Sequence, residues 1–244
     1  MSVKYLTQKA EEKKEAKEQG IAYEKCYNFW AVSLQFTDQY FKRTQKTVEL
    51  YGDVRVTYAV FMRRPICFTP RIMVDWLNRV AEERNSAFDI ELCFEEGEWA
   101  GAGEPLLYIS GSLVDLVDLE TLYLQKLGAA CVAAYNAYMM CAELPYASFL
   151  AMDARHCARA EMAEMMAYAA SVGSDRARRK ADAIGFVGNA TDATAGYFGQ
   201  PEGFGTMPHG LIGYAKSTVR AAEMYHEVHP EADLTVLVDY FGQE

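Results

Sequence analysis

The chain has 244 residues, enough for one large domain or two smaller ones with a sizeable core. It is 51% apolar and 24% charged, and its formal net charge of −10 argues against nucleic acid or an anionic membrane as the main partner. Any phosphorylated ligand must therefore meet a local cluster of basic groups. Six scattered cysteines (Cys26, Cys67, Cys93, Cys131, Cys141, Cys157) form no C-x-x-C pair, so neither a disulfide framework nor a zinc site is expected, and a reducing cytoplasm is the expected compartment. The charged N-terminus does not read as a signal peptide, and the uncharged run from Gly128 to Ala142 is too short for a membrane span.

Eight Lys or Glu residues between Lys9 and Glu18 read as a solvated helix or arm, and the aromatic stretch from Cys26 to Phe36 as entry into a core. Thr37 or Asp38 can cap a helix running to about Leu50. Alternation through Val54, Val56, Tyr58, Val60 and Met62 predicts a strand over Val54–Phe68, and Pro70–Glu83 a helix with Ile72, Val74, Trp76, Leu77 and Val80 on its apolar side. Strands follow at Phe88–Phe94 and Pro105–Ser110, joined by the acidic, glycine-rich connection Glu95–Glu104. Leu119–Met140 reads as a helix whose second half is apolar nearly all round and therefore buried.

After Pro145, where a domain boundary is expected, short strands alternate with helices. Strands are expected at Ala147–Met152, Ile184–Val187, Gly203–Gly205 and Leu234–Asp239, and helices at Cys157–Val172, Thr191–Phe198 and from His209 onward, with a basic stretch from Arg176 to Lys180. This pattern predicts an α/β fold: an N-terminal α+β domain (residues 1–145) followed by the first half of an α/β barrel (146–244). The sequence stops at Gly242-Gln-Glu244 without a helix to cover the last strand, which suggests a fragment or a sheet completed by another chain.

The chemistry is expected between Asn189 and Ile212. Leu211, Ala215, Val219, Ala222 and Tyr225 repeat at helical spacing, Thr206 can cap that helix, and His209 falls in its first turn. Unpaired N–H groups and the helix dipole favour phosphate there and disfavour imidazolium, leaving a neutral ring able to act as nucleophile or base. The plain alternative is an ordinary histidine on a barrel loop.

Several segments, in order, resemble the nicotinate phosphoribosyltransferase family and its nicotinamide-using branch. Thr37-Asp-Gln-Tyr-Phe-Lys-Arg-Thr44 looks like its N-terminal Thr-Asp-x-Tyr motif. Gly103-Glu-Pro-Leu-Leu-Tyr-Ile-Ser-Gly111, followed by Leu119-Glu-Thr-Leu-Tyr-Leu124, looks like its Gly-Glu-Pro-Leu strand and the helix after it. Gly205-Thr-Met-Pro-His209 is similar to its histidine motif, and Leu237-Val-Asp239 to its Leu-Val-Asp strand end. The resemblance implies transfer of ribose 5-phosphate from phosphoribosyl pyrophosphate to a pyridine nitrogen in NAD synthesis, with Mg2+ on the pyrophosphate and ATP as co-substrate.

In that resemblance His209 is the residue phosphorylated by ATP, and Tyr40 stacks on the pyridine beside Asp38, both offered across a homodimer interface. Arg155, in Phe149-Leu-Ala-Met-Asp-Ala-Arg-His156, takes the place of a phosphate-binding arginine. Thr191 and Asp192 match the branch-determining pair, and Asp239 the acid of the strand end. The alternatives are helix capping and packing for Asp38 and Tyr40, a surface ion pair for Arg155, and an N-cap for Asp192. Met152 stands where the family has a second aromatic, Asp153 where it has glycine, and His156 where it has a second arginine. Asp192, where the nicotinate branch commonly has Asn, can accept from an amide N–H2 and repel a carboxylate, so preference for a neutral pyridine amide is expected. A truncated, non-catalytic relative that keeps only the fold and dimer contacts is the competing reading.

Overall fold

Alternation in the Val54–Phe68 stretch is broken by Arg63-Arg-Pro65, where proline has no N–H for a ladder, so the expected single strand is two. The computed structural model describes residues 36–205 and 207–241. The expected N-terminal arm, nearly all of the Cys26–Phe36 stretch, the Thr206 cap and the Gly242-Gln-Glu244 end lie outside the described residues. Helix α1 (Gln39–Tyr51) leads into β1 (Arg55–Phe61), and β2 (Ile66–Cys67) follows the break. Next come α2 (Arg71–Arg84), β3 (Asp89–Leu92), β4 (Trp99–Ala100) and β5 (Pro105–Ser112).

Strands β1, β5 and β3 form an antiparallel sheet in that order, with Val60 opposite Leu107 and Ile90 opposite Ile109. Period-two alternation sends Val60, Leu107 and Ile109 to the covered face, and Thr57, Ser110 and Asp89 to the open one. Strand β4, inside the stretch read as a plain connection, pairs with β2. Backbone bonds between Phe68 and both Glu98 and Gly97 lengthen that contact.

The covered face packs on Trp76, Leu77 and Val80 of α2, and on Tyr123 and Leu127 of a long helix, α4 (Glu120–Glu143), which follows the short helix α3 (Leu113–Leu116). Helix α2 stops at Asn85, whose left-handed backbone (φ 50°) and N–H bonds to Ala81 and Glu82 close its last turn.

Beyond Pro145 lie β6 (Ser148–Ala151), α5 (Ala160–Ala181) and β7 (Gly185–Asn189). Helix α5 starts three residues later than expected and absorbs the basic Arg176–Lys180 stretch in its last turns, where cations suit the helix dipole. It crosses α4 at Gly173, where a Cβ would overlap the Ala134 carbonyl oxygen. Strands β6 and β7 are parallel, as the alternation of strands and helices predicts. Gly203–Gly205 and Leu234–Asp239, read as strands, carry no sheet pairing among the described residues.

Thr191–Phe198 resolves into α6 (Asp192–Ala195) and a single 3-10 turn, Gly196–Phe198. The helix expected from His209 onward is two: α7 (His209–Ala215) and α8 (Thr218–Val228), separated by Lys216 with φ 56° and capped anew by the Ser217 hydroxyl. Leu211, Ala215, Ala222 and Tyr225 pack with buried Met207, Ile212 and Ala221, whereas the break turns Val219 out to solvent. No helix among the described residues is long and apolar enough to cross a membrane.

Candidate active site

Because β6 and β7 run parallel, the segments after them leave the sheet at the same end, and the Ala190 N–H donates to the Ala151 carbonyl (3.1 Å) to hold the two exits together. Arg155, in the turn Ala154–His156, and the Thr191–Asp192 pair therefore share one rim, the carboxyl end of parallel strands where α/β folds place ligands. Arg155 and His156 are exposed, and Arg155 makes no ion pair among the described residues, leaving its guanidinium open to an anion.

Thr191 is the N-cap of α6 by position, but its hydroxyl does not cap. It joins a buried network instead. Asn189 Nδ2 donates to Thr191 Oγ1 (3.1 Å) and to Thr194 Oγ1, and the two threonine hydroxyls lie 2.7 Å apart. Asn189 is 4% exposed and its Oδ1 has no hydrogen-bond partner among the described residues, a costly arrangement for a buried amide. Asp192 is the first residue of α6 rather than its cap, and its Oδ1 accepts the Gly203 N–H at 2.9 Å.

The chain then runs along the rim. Gln200 Nε2 donates to the Val187 carbonyl (2.9 Å), and the Phe204 N–H donates to the Asn189 carbonyl (2.7 Å). The Phe204 ring lies over Gly188 so closely that a Cβ there would overlap it. The five links from Phe204 to His209 reach at most about 18 Å, which bounds the distance from the rim to the histidine.

His209 opens α7 after Pro208, and its Nε2 lies 2.7 Å from Asp239 Oδ1. Two residues singled out separately, thirty positions apart, thus form a dyad. A carboxylate accepts only from an N–H, so in the neutral ring the proton sits on Nε2 and Nδ1 carries the lone pair. The hydrogen bond from His209 holds the Asp239 carboxyl below the usual carboxylate range. The ring also lies 5.8 Å from that of Tyr240. In place of the dipole alone, the nearest field at the ring is that of Asp239. Side-chain exposure is 53% for His209 and 70% for Asp239.

Asp38 and Tyr40 sit elsewhere, at the first turn of α4. The Thr37 hydroxyl donates to the Asp118 carbonyl (2.5 Å), and Thr121 Oγ1 donates to Asp38 Oδ2 (3.0 Å). Asp38 precedes α1 as its N-cap but its side chain makes no cap bond there. Tyr40 is 60% exposed, and among the described residues its ring meets that of Phe41, tilted by 45° with centres 4.2 Å apart. Its phenol is held above the ordinary range by partial desolvation first and by the Asp38 carboxylate next. No side-chain hydrogen bond or ion pair joins Asp38, Tyr40 or Arg155 to the dyad among the described residues.

Asn189, Thr194, Thr121 and Tyr240 were not singled out from the sequence. The one available signal was Asn189 itself, a polar residue closing an otherwise apolar strand. Among the described residues no group of three His, Cys, Asp or Glu side chains could hold a metal ion.

The architecture recurs in solved structures. Nicotinate-nucleotide pyrophosphorylase from Pyrococcus furiosus is similar with a TM-score of 0.67 and 26% identity, over 85% of this chain and 51% of that one. Human nicotinic acid phosphoribosyltransferase is similar with a TM-score of 0.56 and 20% identity, over 73% of this chain and 40% of that one. The nicotinate-nucleotide pyrophosphorylase of Francisella tularensis follows at 0.52 and 11% identity, over 85% and 69%. The chain has the mixed α/β fold of these proteins and spans about half the length of the first. No family model matches the chain, and no curated protein matches it.

Proposed function

We infer that this chain carries part of a pyridine phosphoribosyltransferase acting in NAD synthesis. The reaction transfers ribose 5-phosphate from phosphoribosyl pyrophosphate to the ring nitrogen of nicotinate or nicotinamide, releasing pyrophosphate. The observation that carries the reading is the His209–Asp239 dyad, on a fold shared with two kinds of protein named for nicotinate chemistry. Asp239 holds the imidazole in the tautomer that leaves Nδ1 free. In the ATP-coupled version, Nδ1 attacks the γ-phosphorus, its bond to the ADP oxygen breaks, and water later hydrolyses the phosphohistidine.

Arg155 offers a permanent positive charge at the rim for a phosphate or carboxylate. Tyr40 and Asp38 are exposed on the α1 side, as residues reaching a partner's site in a homodimer must be. Mg2+ enters as substrate with the pyrophosphate and screens its charge. Asp239 is the carboxylate that stands beside the histidine, and a cation of this kind is carried mainly by substrate phosphates.

The assay is mononucleotide formation from phosphoribosyl pyrophosphate, Mg2+ and each base, with and without ATP. Product is expected, falling at least about a hundredfold in Asp239→Asn, where the amide can hold the wrong tautomer. Absence of product with every base retires the catalytic reading. A second reading, a non-catalytic relative that keeps fold and pairing contacts, is favoured by the exposure of the dyad, since reacting groups are ordinarily shielded from water.

A further inference from the structure

Asp192 is engaged with its own chain. Its carboxylate takes the Gly203 N–H (2.9 Å), in the same short stretch where the Phe204 N–H meets the Asn189 carbonyl and Gln200 reaches the Val187 carbonyl. Three hydrogen bonds and one ring contact, Phe204 on Gly188, thus fasten residues 200–204 across the end of β7. Beneath them, the buried Asn189–Thr191–Thr194 network fixes the turn from which Asp192 projects. On the far side of this clasp Met207 is fully buried against Ile212 and Ala221. The stretch is therefore held at both ends, and His209 follows immediately.

We propose that Asp192 is a positioning residue: it clasps the 200–204 segment to the carboxyl end of β7 and so registers the His209–Asp239 dyad to the rim. Its Oδ1 is thereby engaged with the chain itself. This assignment leans on the proposed transferase only for what the registered dyad does; the clasp stands on geometry alone. A charged acceptor suits the task because a carboxylate strengthens a backbone N–H bond relative to a neutral partner. It is the charged member of a set of ties that also includes the Gln200, Phe204 and ring contacts.

Asp192→Asn keeps an oxygen acceptor, whereas Asp192→Ala keeps none, and the two variants separate the alternatives. Amide exchange at Gly203 and Phe204 is followed in each, together with the tautomer signature of the His209 ring in nitrogen-15 spectra. In Asp192→Ala exchange at both amides is expected to accelerate at least about tenfold, and the His209 signature to move toward a mixture of tautomers. Asp192→Asn is expected to stay within about threefold of the parent. In the parent itself the Gly203 amide must exchange more slowly than that of Gly205, a comparison that holds even if Asp192→Ala fails to fold. Unchanged exchange in Asp192→Ala, or an unprotected Gly203 in the parent, overturns the proposal. Absence of turnover with either base counts against the transferase reading alone, because the exchange measurements judge the clasp without it.

Discussion

The antiparallel sheet with its helices and the α7–α8 segment are built on different scales. In the first, Trp76, Leu77, Val80, Leu106, Leu107, Ile109, Leu116, Leu119, Tyr123 and Leu127 are essentially withdrawn from water and form one continuous core. In the second, burial is confined to Met207, Ile212 and Ala221, while Tyr214, Val219, Val228 and Val238 are each more than half exposed. Stability and candidate chemistry are thus separated: the dyad stands on the lightly packed segment. Local opening is drawn from such regions, because few apolar contacts oppose it. The clasp at Asp192 gains its purpose from this difference, since it ties the weak region to the parallel strands.

The comparison breaks if both regions unfold alike. Trp76→Ala removes the largest fully buried side chain among the described residues and is expected to cost about 3–5 kcal/mol in chemical denaturation. All probes of the main core should report one cooperative shift. A loss under about 1 kcal/mol would mean that the site relaxes into the space and that the core is looser than its burial indicates.

Ile212→Ala sharpens the contrast at a smaller magnitude. A cost of about 2 kcal/mol is expected, felt by the α7 and α8 amides in hydrogen exchange while the denaturation midpoint of the main core moves little. Equal acceleration in α2 and α4 would show that the two regions open as one unit.

How far the sequence announced this arrangement follows from the range of each contact. Strand β5 was legible because alternation is local: Leu107 and Ile109 face in, Tyr108 and Ser110 face out. Strands β2 and β4 were not, because their pairing lies some thirty residues apart in the chain and each has only two ladder positions. The start of α5 was misplaced since Cys157-Ala-Arg159 carries no signal against helix, whereas the chain forms a turn at Ala154–His156 first. His209 and Asp239 were legible one at a time from motif and spacing; their meeting spans thirty positions and two helices, a range that no periodicity reveals. Asp192 was legible as a residue but not in its engagement, because its partner is a backbone N–H eleven positions on.

The smallest expected effect concerns Lys126, which lies within the strong region but is not apolar. It sits on α4 with its ammonium 5.3 Å from the centre of the Trp76 ring, and burial pushes it down to about 8, with Glu161 pulling the other way. Below about 8 the folded and unfolded chains both hold the proton, and folding bears the desolvation of the charge. Between about 8 and the ordinary lysine value of 10.5 the unfolded chain still holds a proton that the folded chain has released, so stability rises with pH across that window. Lys126→Met, which keeps the length of the side chain and removes the amine, loses this rise. The stability of the parent relative to the variant should therefore climb between pH 8 and 10.5, by less than about 1 kcal/mol because solvent reaches part of the side chain. A difference that is flat over the window would show that the α4 surface around Lys126 is hydrated. The core beside Trp76 would then be open to water at its edge, and the main region would share some of the looseness assigned here to α7 and α8.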